Sequence, residues 1–475
     1  MRQGCASRVH GSAERAKDDV ADDAENDARG DGGLMERDFG MGAVPAEVAG
    51  AGILGRLIQP AHRADPYPLF AQAHRLGPML QIGPDQFLVV GYDAVRAALR
   101  DPAFGRGLLA GEEARLIADA HPALRWLAYC LLDADPPDHP RMRRLMSAVF
   151  SARRVAMLEP AVEAAVDRLI EVIAAESDQA REPDQAHEPD RSPSPDGAPV
   201  DFMDRFAFQL PVSVICELLG VPAADRARFR PLGRALTATL EMTLTEAELE
   251  AADEAAAEVA QYFAQLVAER RKSPADDLVS ALVLENADGA LSDDELLANL
   301  TLLLVAGFET TTNLLGNGLS LLFAHPGVRA DLASGAIAVT DFTEEVLRYD
   351  APVQMTSRLA RKQGLELAGV PIPEGGEVVL LLGAANRDPA RYPDPDRFDP
   401  RRPDIQPLSF GAGAHYCLGA ALARLECAAA FRALLRRLPA LGPAPGHEPG
   451  RLDRTSLRGY RTLPILPGPV ARQGA

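Results

Sequence analysis

Helical periodicity dominates this chain and constrains its fold more than any other feature. Apolar residues recur at three- and four-residue spacing over 156–173, 247–271 and 294–323, which is the pattern of amphipathic helices. Short apolar runs bounded by turn-forming residues are fewer, and they predict strands at 79–82, 86–90 and 377–382. The expected fold class is therefore mainly α, with a large helical domain and a small β subdomain.

Three segments depart from this pattern. Residues 1–40 are rich in Asp, Glu, Arg, Gly and Ala, with too little apolar surface to offset their ordering entropy, so a disordered tail is expected. Repeated Glu-Pro, Pro-Asp and Ser-Pro steps predict a disordered surface insertion at 176–199. With a Pro/Gly-rich tail at 466–475, a single folded domain is expected over 41–465.

Charge and composition narrow the class of protein. The 475 residues carry 49 Lys and Arg against 68 Asp and Glu, a net charge of −19, which disfavours nucleic acid or an anionic membrane as a partner. The N-terminal segment shows no apolar stretch suited to a signal peptide or membrane anchor. Five scattered cysteines without C-x-x-C spacing indicate a reducing compartment. A soluble, monomeric cytoplasmic protein is expected.

The segment 409–419, SFGAGAHYCLG, carries the strongest chemical signal. Gly411 and Gly413 permit a tight loop, and Cys417 would lie at the start of a helix predicted over 418–434. The helix dipole and unpaired N–H groups there favour a thiolate, which suits an anionic metal ligand. A buried structural thiol is the common alternative, and a cysteine nucleophile activated by His415 is a third.

This loop resembles the haem-binding signature of the cytochromes P450, F-G-x-G-x-H-x-C-x-G. The matching residues are Phe410, Gly411, Gly413, His415, Cys417 and Gly419. The resemblance extends over roughly residues 55 to 465. It implies the cytochrome P450 fold, with haem b buried between the long central helix and this loop. It also implies that Cys417 is the thiolate ligand of the iron, and that Phe410, Gly411 and Gly419 lie against the cofactor.

A second motif of that family follows the pattern E-x-x-R. Glu345 and Arg348 stand three residues apart on one predicted helical face, and alone they would be an ordinary surface pair. The stretch 392–400, YPDPDRFDP, resembles the family's meander. The resemblance implies that Arg397 completes a Glu345-Arg348-Arg397 triad that braces the cysteine loop, a structural role.

The predicted helix over 294–323 breaks local rules in its middle. Gly307 and three consecutive threonines are poor helix-interior residues, and broken rules often mark function. The stretch including Ala306 and Gly307 resembles the family's motif over the distal haem face. Glu309 and Thr310 match its acid-alcohol pair, which implies proton delivery for reduction of dioxygen with NAD(P)H-derived electrons.

Two haem propionates require cationic or hydrogen-bonding partners. His139 and Arg143, at i, i+4 on one predicted helix, resemble the family's residues beside haem, and Arg358 and His415 match the other donors. Two further arginines of that helix are not needed for this role. We hypothesise that Arg141, Arg144 and Arg424 form a basic patch for an acidic ferredoxin, which ferredoxin reductase would in turn reduce.

The resemblance thus implies a haem-thiolate monooxygenase that hydroxylates or epoxidises a small lipophilic substrate. Oxidative coupling or desaturation with the same cofactor is an alternative, and a non-enzymatic haem or ligand-binding protein is a more distant one. The segments expected to line the substrate pocket are 103–130, 231–246 and 353–356, with Trp126, Tyr129 and Met355 as candidate lining residues.

Overall fold

The computed structural model describes residues 46–107, 112–179 and 198–471. The tail predicted at 1–40 and most of the insertion predicted at 176–199 lie outside these ranges. The first four residues of the predicted insertion belong to a helix that continues to Gln179, and a strand begins at Val200 immediately after its other end. The last residues of the predicted tail at 466–475 also lie outside the described ranges.

Helices make up most of the described chain. The α-helices are α1 (Ala46–Leu57), α2 (Pro60–Arg63), α3 (Tyr67–Leu76), α4 (Tyr92–Arg100), α5 (Glu112–Ala120), α6 (Pro122–Tyr129), α7 (Asp138–Val149), α8 (Ala152–Met157), α9 (Glu159–Gln179), α10 (Gln209–Leu219), α11 (Phe229–Thr237), α12 (Glu246–Lys272), α13 (Leu278–Glu285), α14 (Asp293–Ala324), α15 (Pro326–Ala333), α16 (Val339–Tyr349), α17 (Leu382–Ala385) and α18 (Ala420–Arg437). A π-helical turn spans Met203–Ala207, and 3-10 turns span Ala223–Arg228, Ala238–Leu240, Leu408–Phe410 and Gly413–His415.

The strands are short. They are β1 (Met79–Gly83), β2 (Gln86–Val89), β3 (Phe104–Gly105), β4 (Val200–Asp201), β5 (Met355–Ala360), β6 (Leu365–Leu367), β7 (Val370–Ile372), β8 (Glu377–Leu381), β9 (Gly442–Pro443), β10 (Gly450–Arg451), β11 (Tyr460–Thr462) and β12 (Pro464–Leu466). The largest sheet has the order β1-β2-β8-β5-β3, in which only β2 and β8 run parallel. The three predicted strands are β1, β2 and β8, so this expectation is confirmed.

The helix termini follow their capping residues. Thr245 and Ser292 each form a capping box, with Glu248 and Glu295, at the starts of α12 and α14. The helix predicted over 156–173 is instead two helices that break at Leu158. The break has a local reason, because the Glu-Pro step that follows places a proline in the first turn of α9, where its missing N–H costs nothing.

α14 runs through the main hydrophobic core and positions the site. Most of its side chains between Leu296 and Leu322 are buried among those of α6, α9, α10, α12 and α18. Two smaller apolar clusters lie around the five-stranded sheet. Across the described ranges, no helix combines the length and apolar character needed to cross a bilayer.

Candidate active site

Backbone hydrogen bonds fold the 409–419 loop before α18 begins. The N–H of Cys417 donates to the carbonyl of Phe410 at 2.9 Å, and the N–H of Gly411 donates to that of Leu408 at 2.8 Å. The N–H of Tyr416 donates to the Gly413 carbonyl at 3.1 Å. The loop therefore holds the Cys417 thiol three residues before the first residue of α18.

Two of the loop glycines are required by conformation. Gly411 and Gly413 have φ of 70° and 69°, where a side chain is strained. A Cβ at Gly413 would also lie 2.4 Å from the Leu99 carbonyl oxygen, so α4 packs directly on this turn. Gly419 has an ordinary φ of −83°, and a Cβ there would stand 3.9 Å from the Cys417 sulfur. A side chain at 419 would thus project beside the thiol.

The surroundings of Cys417 favour the thiolate form of its side chain only when a cation lies beside the sulfur. Burial raises the pKa of its thiol, while the backbone N–H groups of Gly419 and Ala420 and the charges of Arg143 and Arg424 lower it. The residue as a whole is nevertheless accessible. A metal ion at this sulfur would favour the thiolate.

The geometry argues against a nucleophile activated by His415. Its ring packs against the ring of His139 with 4.2 Å between centroids. Burial and the nearby charges of His139, Arg358 and Arg106 lower the pKa of His415 to about 2. An imidazole with such a pKa is too weak a base to activate a thiol.

The four predicted propionate donors come together in one cationic cluster. Burial lowers the pKa of Arg143 and of His139, and the Nε2 atom of His139 is buried without a hydrogen-bond partner in the described part of the chain. Burial together with the charge of Arg106 lowers the pKa of Arg358 to about 9. Such a cluster is unfavourable unless an anion joins it.

Arg106 belongs to this cluster but was not predicted. Its guanidinium donates to the Thr356 hydroxyl at 2.8 Å and to the Leu132 carbonyl at 3.1 Å. No local pattern marks it, because its position depends on a contact with a residue 250 positions away. It adds a third arginine to the two predicted ones.

These residues fit haem. The cofactor needs one axial sulfur and cationic partners for two carboxylates, and the cluster offers an accessible thiol, an orphaned buried imidazole nitrogen and three arginines. No group of three or more His, Cys, Asp or Glu side chains suited to a bare metal ion is found within the described ranges. A metal at Cys417 would therefore need ligands from a cofactor.

The middle of α14 is accessible although most of the helix is buried. Ala306 is exposed, and Gly307 and Thr310 are half-exposed. The Thr310 hydroxyl donates to the Ala306 carbonyl at 3.0 Å. A Cβ at Gly307 would lie 2.9 Å from the Ile215 side chain, so a residue without a side chain is needed here for packing. It allows α10 and α14 to pack closely.

Glu309, the neighbour of Thr310, is 8% exposed and lies within the electrostatic reach of three arginines. Burial raises the pKa of its carboxyl, while the charges of Arg234, Arg454 and Arg230 oppose this rise. The net direction is upward. Glu309 therefore keeps its proton to higher pH than an exposed glutamate, as a group that accepts and releases protons requires.

Glu345 and Arg348 form a fully buried ion pair. Two bonds of 2.7 and 2.8 Å join the guanidinium to the carboxylate, and both side chains have no exposed area. Arg348 also donates to the carbonyls of Asn386, Pro395 and Arg397. All donors and acceptors are engaged, so the pair fixes local geometry.

The predicted third member of the triad is wrong. The side chain of Arg397 is 66% exposed and pairs with Asp399, so this residue contributes only its backbone carbonyl. Arg402 instead places its Nε 3.4 Å from Glu345, and the N–H of Asp399 donates to Glu345 at 2.7 Å. The fold of the meander turns Arg397 outward, which the spacing of the motif does not reveal.

Asn386 connects this ion pair to the cysteine loop. Its carbonyl accepts from Arg348 at 3.1 Å, and its side-chain amide donates to the Ser409 hydroxyl at 2.9 Å. Its Oδ1 accepts from the N–H of Leu408 at 2.7 Å. The bracing of the loop therefore runs through a residue that the family motifs did not mark.

The predicted basic patch is largely neutralised. Arg141 forms a bidentate pair with Glu295 at 2.6 and 2.9 Å. Arg424 pairs with Glu344 at 3.0 Å between Nη2 and Oε2. Acidic residues distant in sequence therefore pack against two of the three arginines of the predicted patch. Arg144 is exposed, and it forms no ion pair with the described residues.

The candidate pocket residues have mostly structural environments. Trp126 is 6% exposed within the main hydrophobic core, and Met355 is 7% exposed in the cluster beside the sheet. Tyr129 is partly buried and packs against the main core. Residues 108–111 of the predicted lining segment lie outside the described ranges.

Comparison with known proteins agrees with this geometry. The model of the family described as Cytochrome P450 matches residues 52–334 and 339–456. The chain is 38% identical to "Cytochrome P450 monooxygenase PikC" of Streptomyces venezuelae, over 85% of this chain and 91% of that protein. It is 39% identical to "Mycinamicin IV hydroxylase/epoxidase" of Micromonospora griseorubida, over 81% and 90%.

A solved structure extends the likeness to the fold. P450BioI, in complex with an acyl carrier protein ligated to hexadec-9Z-enoic acid, has a TM-score of 0.76 and 29% identity, over 86% of this chain and 99% of that one. The expected mainly α fold is confirmed. The chain belongs to the cytochrome P450 family, and as a P450 monooxygenase it uses haem b with dioxygen and NAD(P)H-derived electrons.

Proposed function

We propose that this monooxygenase hydroxylates or epoxidises a small lipophilic substrate, with Cys417 as the ligand of the haem iron. The observation that carries the proposal is the accessible Cys417 thiol beside a buried cationic cluster. Bound haem supplies the iron that activates dioxygen. The family relatives named for hydroxylation and epoxidation support this type of outcome.

The residues of the chain supply positioning and protons. Arg106, Arg143 and Arg358, with His139 and His415, would hold the two carboxylates of haem. The Thr310 hydroxyl and the Glu309 carboxyl would hold and pass protons, because their side chains lie at and beside the accessible turn of α14.

The overall reaction balances with this assignment. One molecule of dioxygen, one NAD(P)H and one proton convert the substrate to its oxygenated product, with release of NAD(P)⁺ and water. Both hydrogens of that water arrive as protons from solvent, which is why a relay to bulk solvent is needed at the site. We propose that Glu309 is the inner end of that relay.

Isotopic labelling tests the proposed outcome. A panel of lipophilic small molecules that includes mycinamicin IV is screened for a binding-induced change in the haem spectrum. A compound that binds is then turned over with NAD(P)H, ferredoxin reductase and ferredoxin under heavy-isotope dioxygen.

A product that gains one heavy oxygen atom is expected. A product without the label would indicate coupling or desaturation, and tight binding without any product would favour a binding protein.

We propose that ferredoxin docks near Arg144 of α7, the member of the predicted patch that stays unpaired in the described chain. Reversal to Arg144→Glu is expected to slow ferredoxin association several-fold at low salt, and less at high salt, because exposed charges steer association and are screened by ions. Stopped-flow reduction of the haem measures the rate.

Arg75→Glu is the matched control for this experiment. Arg75 is an exposed arginine on α3 that also forms no ion pair with the described residues, so its reversal changes the net charge equally. Equal slowing of ferredoxin association in both variants would show a general effect of net charge and would contradict the proposed docking site.

A further inference from the structure

A pocket lies between the end of α9, β4, the π-helical turn, α11 and β11, and no residue of the cysteine loop lines it. Its volume is about 550 Å³, which is within the range of small-molecule sites. Arg205, Arg230, Arg234 and Arg461 line it, together with three carboxylates. None of the residues proposed to hold haem or to deliver protons lines this pocket.

Each of the three carboxylates already has partners. Glu176 lies 3.1 Å from Arg205. Asp204 pairs with Arg230 and lies 3.7 Å from Arg205.

Asp201 is engaged with the backbone instead. It accepts the N–H groups of Met203 at 3.1 Å and Leu463 at 2.8 Å. The charge of Asp201 also acts on Arg230, so all three acids are engaged with Arg205, Arg230 or the backbone.

Arg234 and Arg461 differ from the other two arginines of the pocket. Both are exposed, and neither forms an ion pair with the described residues. Two unpaired guanidinium groups thus line one concave site on a chain whose net charge is −19. The lining holds one more arginine than it holds carboxylates, on a protein that is acidic overall.

We propose that this pocket binds a small oxyanion through Arg234 and Arg461. Guanidinium groups present planar pairs of N–H donors that match phosphate and carboxylate oxygens, whereas a halide cannot use both donors in this way. The pocket volume exceeds what a single ion needs, so the anionic group can be carried by a small organic molecule.

The pocket is also electrostatically linked to the α14 acid. Arg230 and Arg234 are two of the three arginines whose charges act on Glu309. An oxyanion in the pocket would compete with the Glu309 carboxylate for these charges. The oxyanion site itself does not depend on the proposed role of Glu309.

Calorimetric titration of the full-length holoenzyme tests the proposal. Inorganic phosphate and glycerol phosphate are titrated separately at constant ionic strength, with chloride as the balancing anion. Saturable binding to one site is expected for at least one of them. Tighter binding of glycerol phosphate would identify an organic phosphate as the ligand class, and equal binding would identify the free ion.

Arginine variants locate the site. Arg461→Gln and Arg234→Gln are each expected to weaken binding about tenfold, because each removes a charge-assisted contact. Arg75→Gln, which removes an unpaired exposed arginine elsewhere, should change affinity less than twofold by the same reasoning. The absence of saturable binding would overturn the proposal, as would equal weakening by all three substitutions.

Discussion

Replacement of Arg348 by leucine is expected to lower the free energy of unfolding of the holoenzyme by about 3–5 kcal/mol, because it leaves the fully buried Glu345 carboxylate without its counter-charge. The loss should extend to haem retention, since the same guanidinium holds the Asn386 carbonyl, and Asn386 holds Ser409 and Leu408 at the start of the cysteine loop. Urea unfolding followed by haem absorbance and by circular dichroism measures both effects.

Two further variants separate the pair from its surroundings. Glu345→Leu combined with Arg348→Leu should be less destabilising than Arg348→Leu alone, because no charge is then left buried unpaired. Arg397→Leu should have little effect, because its side chain is mostly exposed. If Arg397→Leu were as damaging as Arg348→Leu, the assignment of Arg397 to the surface would be wrong.

The second large effect is expected at Thr310. Thr310→Ala should divert reducing equivalents to hydrogen peroxide. Without the Thr310 hydroxyl, the two protons are not directed to one oxygen atom, so dioxygen that has received two electrons leaves as hydrogen peroxide and the substrate is not oxygenated. Glu309→Gln, which keeps the shape but cannot release a proton, should lower turnover about a hundredfold. Product and peroxide formed per NAD(P)H consumed are the quantities to measure, with haem content determined in parallel.

Thr301 provides a matched control on the same helix. Its hydroxyl donates to the Leu297 carbonyl at 2.9 Å, the same i−4 bond that Thr310 makes with Ala306, but it is buried in the core. Thr301→Ala therefore removes an equivalent hydroxyl and bond away from the accessible turn. Coupling should stay unchanged in this variant, and equal uncoupling in both would show a helix-packing effect in place of proton delivery.

The sequence predicted those parts of the molecule that are encoded locally. The long helices have repeating apolar faces and capping boxes, and the three strands lie between turn residues, so α12, α14, β1, β2 and β8 were found close to their observed bounds. The cysteine loop could be predicted because its turn needs glycines with positive φ, and these stand only a few residues before the start of a helix.

Side-chain partners that depend on distant packing could not be predicted in this way. Arg141 and Arg424 resemble free surface cations in sequence, but Glu295 and Glu344 reach them from other helices. Arg402, and not Arg397, lies beside Glu345 because of the path of the irregular meander. This segment has no periodicity from which its path could be predicted. Arg106 likewise joins the cationic cluster only after β3 and β5 have paired.

The most direct test of the whole account is the absorption spectrum of the dithionite-reduced protein with carbon monoxide, recorded beside that of Cys417→Ser. We expect a strongly red-shifted Soret band in the unaltered protein, as a thiolate ligand to haem iron gives, and its loss in the variant. An ordinary haem band in the unaltered protein, or a red-shifted band that persists in Cys417→Ser, would contradict the assignment of Cys417 as the iron ligand.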